Sequence, residues 1–487
     1  MSVYDLVVKG GNVVIPYVGV RRADIGISGE KIAAIGSDIA DQGAAQTIYA
    51  TGRYVFPGAV DSHFHIGIYR PLAEDAISES TSGASGGVTT ILSYFRTGQD
   101  YLNKIGPYRE ILPELLDLSD KSFLTDFGYH LACMTDEHIE EIEWLVKEGG
   151  VSTLKYYMFY KLLTLAGATP EANNYLMIDN PVDFGYLYRF MKEVGRVNQL
   201  YQEYGNISLS IHCENPEIIR ATQAEVKANP TGVPMKDYSD ARPPWQEELA
   251  INEAAIIARH TRCPVNLLHL SSQKAVEAAI DVSQRYPEID FLLEGTLHHL
   301  GLSNDMALDQ KAKVNPPIRS SEDVQFLWNA VLDDSIKTVV SDHACATLEK
   351  KKGDLWTSLP GFGGTSLMFP VLITEGYHKR GLPLHRIAEL SSANPAQYHN
   401  LYPKKGALMV GSDADLAIVD IDAQKEVTLE NLYTAQKFSP EEGMKFKGWT
   451  ECTVLRGKVI FENGKILGQP GDGKYIKRPA KLHYPEA

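Results

Sequence analysis

The chain has 487 residues, of which 44% are apolar, and its 47 basic and 62 acidic residues give a formal net charge of −15. Because one hydrophobic core rarely grows beyond about 250 to 300 residues, this length predicts one large domain and a smaller one. The acidic and basic residues are interspersed, and no basic face is indicated that would bind nucleic acid or an anionic membrane. We therefore expect neither of these partners.

The five cysteines lie far apart and form no Cys-x-x-Cys motif. Such a set indicates buried thiols in a reducing compartment rather than disulfides or a thiolate zinc site. The first residues do not combine a basic stretch with an apolar one, and no apolar run approaches the roughly 18 residues that a membrane span needs. We expect a cytoplasmic protein.

Both ends of the chain are rich in short strand patterns. Before residue 55 these patterns cover residues 5–15, 23–27 and 31–35, separated by glycine-containing turns. Near the other end they cover residues 415–420 and 453–467, where Asn463-Gly464 is typical of a type I′ hairpin turn. Neither end can bury its apolar face alone, so we predict one small β-sandwich domain from residues 1–55 and 405–487, including a C-terminal tail.

The middle of the chain, residues 56–404, alternates apolar strand patterns with helical ones. Residues 136–150 place apolar side chains at helical spacing and end in glycine, and Ser272 is a helix N-cap before another such pattern. This alternation is typical of parallel strands joined by helices. The predicted fold class is α/β, a (β/α)₈ TIM barrel that carries the catalytic site beside the small β-domain.

Residues that can bind a metal follow several of the apolar runs. His63 and His65 are two residues apart, so on a strand both side chains project from the same face. Later apolar runs end in Lys155, His212, His269 and the pair Asp342-His343. Closure into a barrel brings such strand ends together at one rim, which is the reason to prefer a barrel over an open sheet.

Short motifs that also occur in a known protein family extend over nearly the whole chain. They are Pro57-Gly-x-x-Asp61-x-His63-x-His65, Gly86-Gly-Val-Thr-Thr90, Lys155-Tyr-Tyr-Met-Phe-Tyr160, Arg242-Pro-Pro, His269-Leu-Ser-Ser272, Pro316-Pro-Ile-Arg319, Ser341-Asp-His343, Asn394-Pro-Ala396 and Gly411-Ser-Asp-Ala-Asp415. In this order the chain resembles the cyclic amidohydrolases, which include hydantoinase, dihydropyrimidinase, allantoinase and dihydroorotase. Hydantoinase and dihydropyrimidinase are the most similar branch, so the resemblance implies hydrolysis of a cyclic amide bond.

The resemblance also implies a metal centre. Opening an amide ring at neutral pH needs a nucleophile stronger than water, and a metal that lowers the pKa of bound water to about 7 supplies it. Two divalent ions per subunit are expected, zinc or alternatively manganese. The expected ligands are His63, His65 and Asp342 for the more buried ion and His212 and His269 for the other, with Lys155 between them. In the family this lysine is carboxylated by CO₂ to a bridging carbamate; the alternative is a solvated lysine.

Further roles follow from the same resemblance. Asp342 is the expected catalytic base and Tyr160 the expected oxyanion donor, although an ordinary helix N-cap and a core aromatic are the respective alternatives. Asp61 and His343 are expected to orient the ligands or the base, unless they only satisfy backbone groups.

Ring recognition departs from the hydantoinase pattern. The matching positions are Asn315 and the loop 360–364, where Gly363 and Gly364 are the expected substrate contacts. Gly67 stands where dihydroorotase has the arginine that binds its substrate's carboxylate, and Arg70 is out of register. Allantoinase and dihydroorotase remain alternatives for the substrate.

Two further classes of protein are open alternatives. A mononuclear deaminase shares the His-x-His pair and the late aspartate but has no use for a bridging lysine, and a non-catalytic hydantoinase-like protein would lose ligands.

We also expect a homo-oligomer, dimer or tetramer, with the tail from about residue 466 to residue 487 touching a neighbouring subunit.

Overall fold

The computed structural model describes residues 4–158 and 183–478. Eighteen strands lie in this part of the chain: β1 Leu6–Ile15, β2 Gly19–Ser28, β3 Lys31–Gly36, β4 Gln46–Tyr49, β5 Tyr54–Pro57, β6 Ala59–His65, β7 Val88–Arg96, β8 Asp126–Ala132, β9 Thr153–Tyr157, β10 Ser208–His212, β11 Val265–Leu267, β12 Phe291–Thr296, β13 Thr338–Val340, β14 His343–Ala344, β15 Leu416–Glu426, β16 Lys445–Leu455, β17 Lys458–Glu462 and β18 Lys465–Ile466. They form two sheets, one in the middle of the chain and one from both ends.

Helices connect the strands of the middle sheet. The α-helices are α1 Leu72–Ser85, α2 Tyr108–Asp120, α3 Asp136–Glu140, α4 Ile142–Trp144, α5 Phe184–Tyr201, α6 Pro216–Ala228, α7 Pro234–Asp240, α8 Pro244–Thr261, α9 Gln273–Arg285, α10 Leu297–Gly301, α11 Ser321–Leu332, α12 Met368–Val371, α13 Leu384–Ala388 and α14 Asn394–Tyr398. The predicted cap is present, since the Ser272 hydroxyl accepts from the Ala275 N–H at 3.3 Å. Residues 136–150 are helical as predicted and end at Gly150 in the left-handed region.

The middle sheet runs from β6 to β14 with parallel pairing throughout. Strand β13 pairs with β12, whereas β14 pairs with β6, and only Ser341 and Asp342 separate β13 from β14. The two short segments are therefore halves of one eighth strand, and the sheet closes on itself. The predicted (β/α)₈ barrel is confirmed, and Asp342 lies at the break in its last strand.

The second sheet combines both chain ends, as predicted. Strand β5 pairs with β1 on one side and with β15 on the other, so the N-terminal and C-terminal strands are continuous across it. Alternate residues of β15 face opposite ways: Leu416 and Ile418 pack with the sheet's own core, and Ala417 and Val419 pack with the barrel's. On the basis of this strand pairing we propose two domains. One consists of residues 1–55 and 405–487, and the other of residues 56–404.

A buried ion network joins the two sheets and accounts for the motif at residues 411–415. The Lys405 ammonium lies 2.5 Å from a carboxylate oxygen of Asp126 at the start of β8, 2.9 Å from Asp413 and 2.6 Å from Asp415 just before β15. All four side chains are buried. Because a lysine already occupies the centre of this acidic cluster, the cluster fixes the two domains together rather than binding a metal.

The described part of the tail packs on its own barrel. The Ile476 N–H donates to the Phe127 carbonyl at 2.8 Å, and the buried Arg478 guanidinium donates to the Tyr129 carbonyl at 2.6 Å. Up to Arg478 the tail thus packs beside β8, and the contact of residues 466–487 with a neighbouring subunit stays a prediction. In the described ranges, no helix is long and apolar enough to cross a lipid bilayer.

Candidate metal centre and active site

The predicted ligands converge at the carboxyl-terminal rim of the barrel. They lie at the ends of β6 (His63, His65) and β10 (His212), within β9 (Lys155), just after β11 (His269) and in the break of the eighth strand (Asp342). All are buried, and parallel strands in a closed barrel present their carboxyl ends on one face. The strand-end reasoning thus placed six side chains in one site.

His63, His65 and Asp342 form the first group. One carboxylate oxygen of Asp342 lies 3.0 Å from Nε2 of His63 and 3.3 Å from Nε2 of His65. The three ligand atoms lie within 4.8 Å of one another. Two imidazole nitrogens and one carboxylate oxygen are donors that zinc prefers, so this group fits a divalent metal ion.

Burial and neighbouring charges set the protonation state of each member of this group. Burial by itself would raise the pKa of Asp342, but His63 and His65 hold it well below its usual range. Burial lowers the pKa of His65 to about 4. Burial by itself would lower the pKa of His63, but Asp342 and Glu294 raise it to about 9. Asp342 and His65 therefore already have the forms that bind metal at neutral pH, whereas His63 must lose a proton to do so.

His212 and His269 form the second group, adjacent to the first. Nδ1 of His212 lies 2.8 Å from Nε2 of His269, and the rings of His269 and His63 are 5.4 Å apart. Burial lowers the pKa of both His212 and His269. Two neutral imidazoles with nitrogens facing each other fit a second ion beside the first.

Lys155 is a buried lysine in an aromatic setting. Its side chain is 1% exposed, and Nζ lies 4.3 Å from the ring centre of Tyr94 and 4.6 Å from that of Tyr157. No carboxylate in the described part of the chain lies within 4.0 Å of this ammonium, and burial lowers its pKa to about 7. The alternative of a solvated lysine is wrong, and the lowered pKa gives this amine a larger neutral fraction near pH 7 than an exposed lysine has.

Two glutamates behind the histidines were not among the predicted site residues. One carboxylate oxygen of Glu294 lies 2.7 Å from Nδ1 of His63 and accepts the His269 backbone N–H at 3.1 Å. Glu214 lies 2.7 Å from Nε2 of His212. A carboxylate on one ring nitrogen holds the proton there and leaves the other nitrogen for a metal. Glu214 follows His212 by two residues and Glu294 is near the end of β12, so strand-end position was the available signal.

Asp61 and His343 hold the last strand in place instead of touching the predicted ligands. Asp61 accepts the Ser341 N–H at 3.0 Å and the Ser341 hydroxyl at 2.5 Å. The His343 ring stacks on Phe64 with centroids 4.4 Å apart. Because these contacts lie on both sides of Asp342, they fix the position of its carboxylate. Strand β14 follows Asp342 directly, so the alternative that it is a helix N-cap is wrong.

A cavity of about 320 Å³ opens above the metal-competent side chains. Its wall consists of His63, His65, Ile68, Tyr69, Arg96, Tyr101, Lys155, Tyr157, His212, Gln223, Tyr238, Arg242, His269, Lys313, Val314, Asn315, Asp342, Ala344 and residues 356–361. The volume suits a small ring, and the predicted Asn315 is in the wall. Tyr160, the predicted oxyanion donor, lies outside the described residues.

Two predicted substrate contacts are not in the cavity wall. The Gly363 N–H donates to the Gln436 side chain at 3.0 Å, and the Gly364 N–H donates to Nδ1 of His343 at 3.1 Å. A Cβ on Gly363 would come within 2.7 Å of the His343 ring, so close packing accounts for glycine there. In this loop the wall is instead formed by residues 356–361.

The position of the dihydroorotase arginine is closed to a large side chain. Gly67 has φ +85°, and a Cβ there would meet Leu72 at 3.1 Å. Arg70 is turned away from the cavity, with its guanidinium 3.1 Å from Asp75 and donating to the Ser78 hydroxyl at 2.7 Å. Neither position supplies a cation to a substrate carboxylate.

Comparisons with known proteins agree with this site. A family model described as "Amidohydrolase family" matches residues 130–460. An allantoinase of Desulfitobacterium hafniense is 30% identical over 482 residues, covering 98% of this chain and 99% of the relative. An L-hydantoinase of Paenarthrobacter aurescens is 30% identical over 489 residues, with 98% of each chain covered. The solved structure of L-hydantoinase (dihydropyrimidinase) from Arthrobacter aurescens superposes with a TM-score of 0.85 and 29% identity. The match covers 98% of this chain and 100% of that chain.

A closed parallel barrel with histidines, an aspartate and a buried lysine at one rim defines a hydrolase of the metal-dependent type. The chain belongs to the amidohydrolase family. The relatives named above are cyclic amidases, and the predicted family is confirmed. Allantoinase and hydantoinase relatives have the same identity to this chain, so the choice of ring has to be argued from the cavity.

Proposed function

We propose that the protein opens a five- or six-membered cyclic ureide or imide by hydrolysis, giving an N-carbamoyl or half-amide acid. The observation that carries the proposal is the convergence of four histidines, Asp342 and a buried Lys155 on the floor of a small cavity. A hydantoin or dihydropyrimidine ring fits this volume. Family membership supports the same reaction class.

The proposed cofactors are two divalent metal ions per subunit, zinc or manganese. One ion would be held by His63, His65 and Asp342. The other ion would be held by His212 and His269, and a carboxylated Lys155 would be a ligand to both. When bound, the ions lower the pKa of water and polarise the ring carbonyl. The neutral Lys155 amine would attack the carbon of CO₂ and lose one proton, which would turn a neutral amine into an anionic carbamate ligand.

Asp342 is the proposed general base. Its carboxylate faces the cavity at the break of the eighth strand and stays ionised at neutral pH, because the neighbouring histidines lower its pKa. It takes the proton of the attacking water and returns it to the ring nitrogen as the C–N bond breaks. Tyr160 is the proposed donor to the developing oxyanion.

Ring binding is assigned to Asn315 and to the backbone of residues 356–361. Asn315 offers a side-chain amide in the wall, and residues 356–361 line the same cavity. The arginines and Lys313 of this wall are already engaged. The Lys313 ammonium donates to the Ser358 carbonyl, Arg242 to Glu214 and Arg96 to the Gln99 carbonyl. A substrate without a carboxylate fits such a wall better than one that carries it.

Purified, metal-loaded protein is expected to hydrolyse dihydrouracil with a kcat/KM at least about tenfold above that for dihydroorotate. The reason is that a dihydroorotate carboxylate loses a charge-assisted hydrogen bond of about 1.5 to 3 kcal/mol where Gly67 replaces an arginine. Hydantoin and allantoin belong in the same assay. A dihydrouracil to dihydroorotate ratio below one would reverse the assignment in favour of dihydroorotase.

Two alternatives are weighed against this proposal. Allantoinase is the stronger, since allantoin is also a carboxylate-free cyclic ureide and relatives of that name match the whole chain; a higher kcat/KM for allantoin than for hydantoin selects it. A mononuclear deaminase is disfavoured because it has no use for a bridging lysine such as the buried Lys155. One metal ion per chain, in place of two, would favour it.

Assembly into a homo-oligomer, dimer or tetramer, is part of the proposal. Truncation after Arg478 keeps the segment that packs on the subunit's own barrel and removes only residues 479–487. If those residues contact a neighbour, sedimentation is expected to show a smaller species than the full chain gives. An unchanged oligomer would place the interface elsewhere. A cytoplasmic location is proposed as well, supported by five buried, free cysteines.

A further inference from the structure

Arg242, from the Arg-Pro-Pro motif before α8, contacts the carboxylate behind a metal-competent histidine. Its guanidinium donates to Oε2 of Glu214 at 2.7 Å, and the same oxygen lies 2.7 Å from Nε2 of His212. Glu214 is fully buried, so its charge needs a partner, and Arg242 supplies it. With the proton held on Nε2, His212 presents the lone pair of Nδ1 to the second metal position.

The same guanidinium lies against a cavity tyrosine on its other side. Its central carbon is 5.4 Å from the ring centre of Tyr238, and the Tyr238 hydroxyl donates to Oδ1 of Asn315 at 2.5 Å. A neighbouring cation, which only donates hydrogen bonds, favours a hydroxyl whose proton points away from it toward the amide oxygen. Arg242 therefore stabilises the orientation in which Tyr238 donates, and the Lys313 ammonium, 5.0 Å from the same ring centre, acts in the same direction.

This contact decides which end of the Asn315 amide faces the cavity. With Oδ1 taken by Tyr238, the NH₂ group remains for the cavity, and within residues 4–158 and 183–478 no acceptor lies within hydrogen-bond distance of it. An amide fixed in this way donates and does not accept. The matching substrate atom is a ring carbonyl oxygen rather than a ring N–H.

We propose that Arg242 is a positioning residue with two arms: through Glu214 it sets the metal-binding nitrogen of His212, and through Tyr238 it turns the Asn315 amide N–H toward a substrate carbonyl. The second arm rests on the proposed function, whereas the first requires only that metal binds. One side chain thus links the second metal position to ring recognition. Arginine suits this task because its planar fork reaches two partners, while the single ammonium of lysine does not.

Three conservative variants separate the arms. Glu214→Gln breaks only the His212 arm, so the affinity for the second metal ion is expected to fall by about 10- to 100-fold. Tyr238→Phe breaks only the Asn315 arm, so KM for dihydrouracil is expected to rise about tenfold with two ions still bound. Arg242→Lys is expected to show both losses. Metal affinity is measured by elemental analysis across a chelator titration, and KM and kcat are measured at saturating metal.

Matched controls guard against a general structural effect. Tyr129→Phe removes another buried hydroxyl, which bonds Ser119 away from the cavity, and is expected to change neither metal affinity nor KM. Thermal unfolding of each variant shows that it is folded. If Tyr238→Phe lowered metal affinity, or if Arg242→Lys left both quantities unchanged, the two-arm assignment would be overturned. If no cyclic amide were hydrolysed at all, the proposed function would fail while the metal titration still decided the His212 arm.

Discussion

Replacing Lys155 by alanine is expected to remove both metal ions and to lower kcat/KM by about 10³-fold or more. The side chain is buried among the metal-competent residues, and the nearby carboxylates of Glu214 and Glu294 already contact ring nitrogens of His212 and His63. Several kcal/mol of transition-state stabilisation depend on the ions, which sets the size of the loss. Elemental analysis and steady-state assays with dihydrouracil measure both effects.

Rescue separates an anionic bridge from a merely structural lysine. The alanine variant leaves room beside Tyr94 and Tyr157, so added acetate or propionate in bicarbonate-free buffer is expected to restore part of the metal content and activity. Lys155→Met is the matched control, because it fills the same space with an apolar chain and is expected to resist rescue. Full activity of the alanine variant without any additive would exclude a bridging role.

The barrel and its ligand positions could be predicted because both depend on local rules. Side chains at i and i+2 share one face of a strand, which placed His63 and His65 together. Parallel strands present their carboxyl ends on one side, which brought His212 and His269 to the same rim. The pairing of the two chain ends followed from unburied apolar faces, and Asn463 and Gly464 adopt the positive φ angles that their turn requires.

The parts that could not be predicted depend on side-chain directions across the barrel. Glu294 contacts His63 from a strand more than two hundred residues later, and no spacing rule connects them. The loop glycines were assigned to substrate from position alone, yet Gly363 is determined by its packing against His343. A loop backbone has no fixed period, so the direction of its N–H groups is decided by tertiary contacts.

Arg242 is a residue whose motif could be recognised in the sequence although its contacts could not be predicted. The Arg-Pro-Pro motif was visible in the sequence, but its role depends on Glu214 and Tyr238, which approach it from the segment after β10 and from α7. Only the assembled cavity shows that one guanidinium lies between a metal-competent histidine and the ring-binding wall. The sequence pattern identified the residue, and the geometry is the basis for the role proposed for it.

Asp342→Asn is expected to keep the fold and to lower kcat by about 10² to 10⁴-fold, the range for loss of a general acid–base group. Asp342 has φ +50°, a conformation that asparagine tolerates well, so the substitution adds no backbone strain. The amide oxygen can still face His63 and His65 but cannot accept a proton at neutral pH.

Asp342→Glu is the matched comparison, since it keeps the carboxylate and displaces it by one methylene. This variant should retain more activity than the asparagine variant. Measuring kcat at saturating metal, with metal content determined on the same samples, separates the base from the ligand. If the asparagine variant with two bound ions kept kcat within tenfold of the parent, another group would be the base.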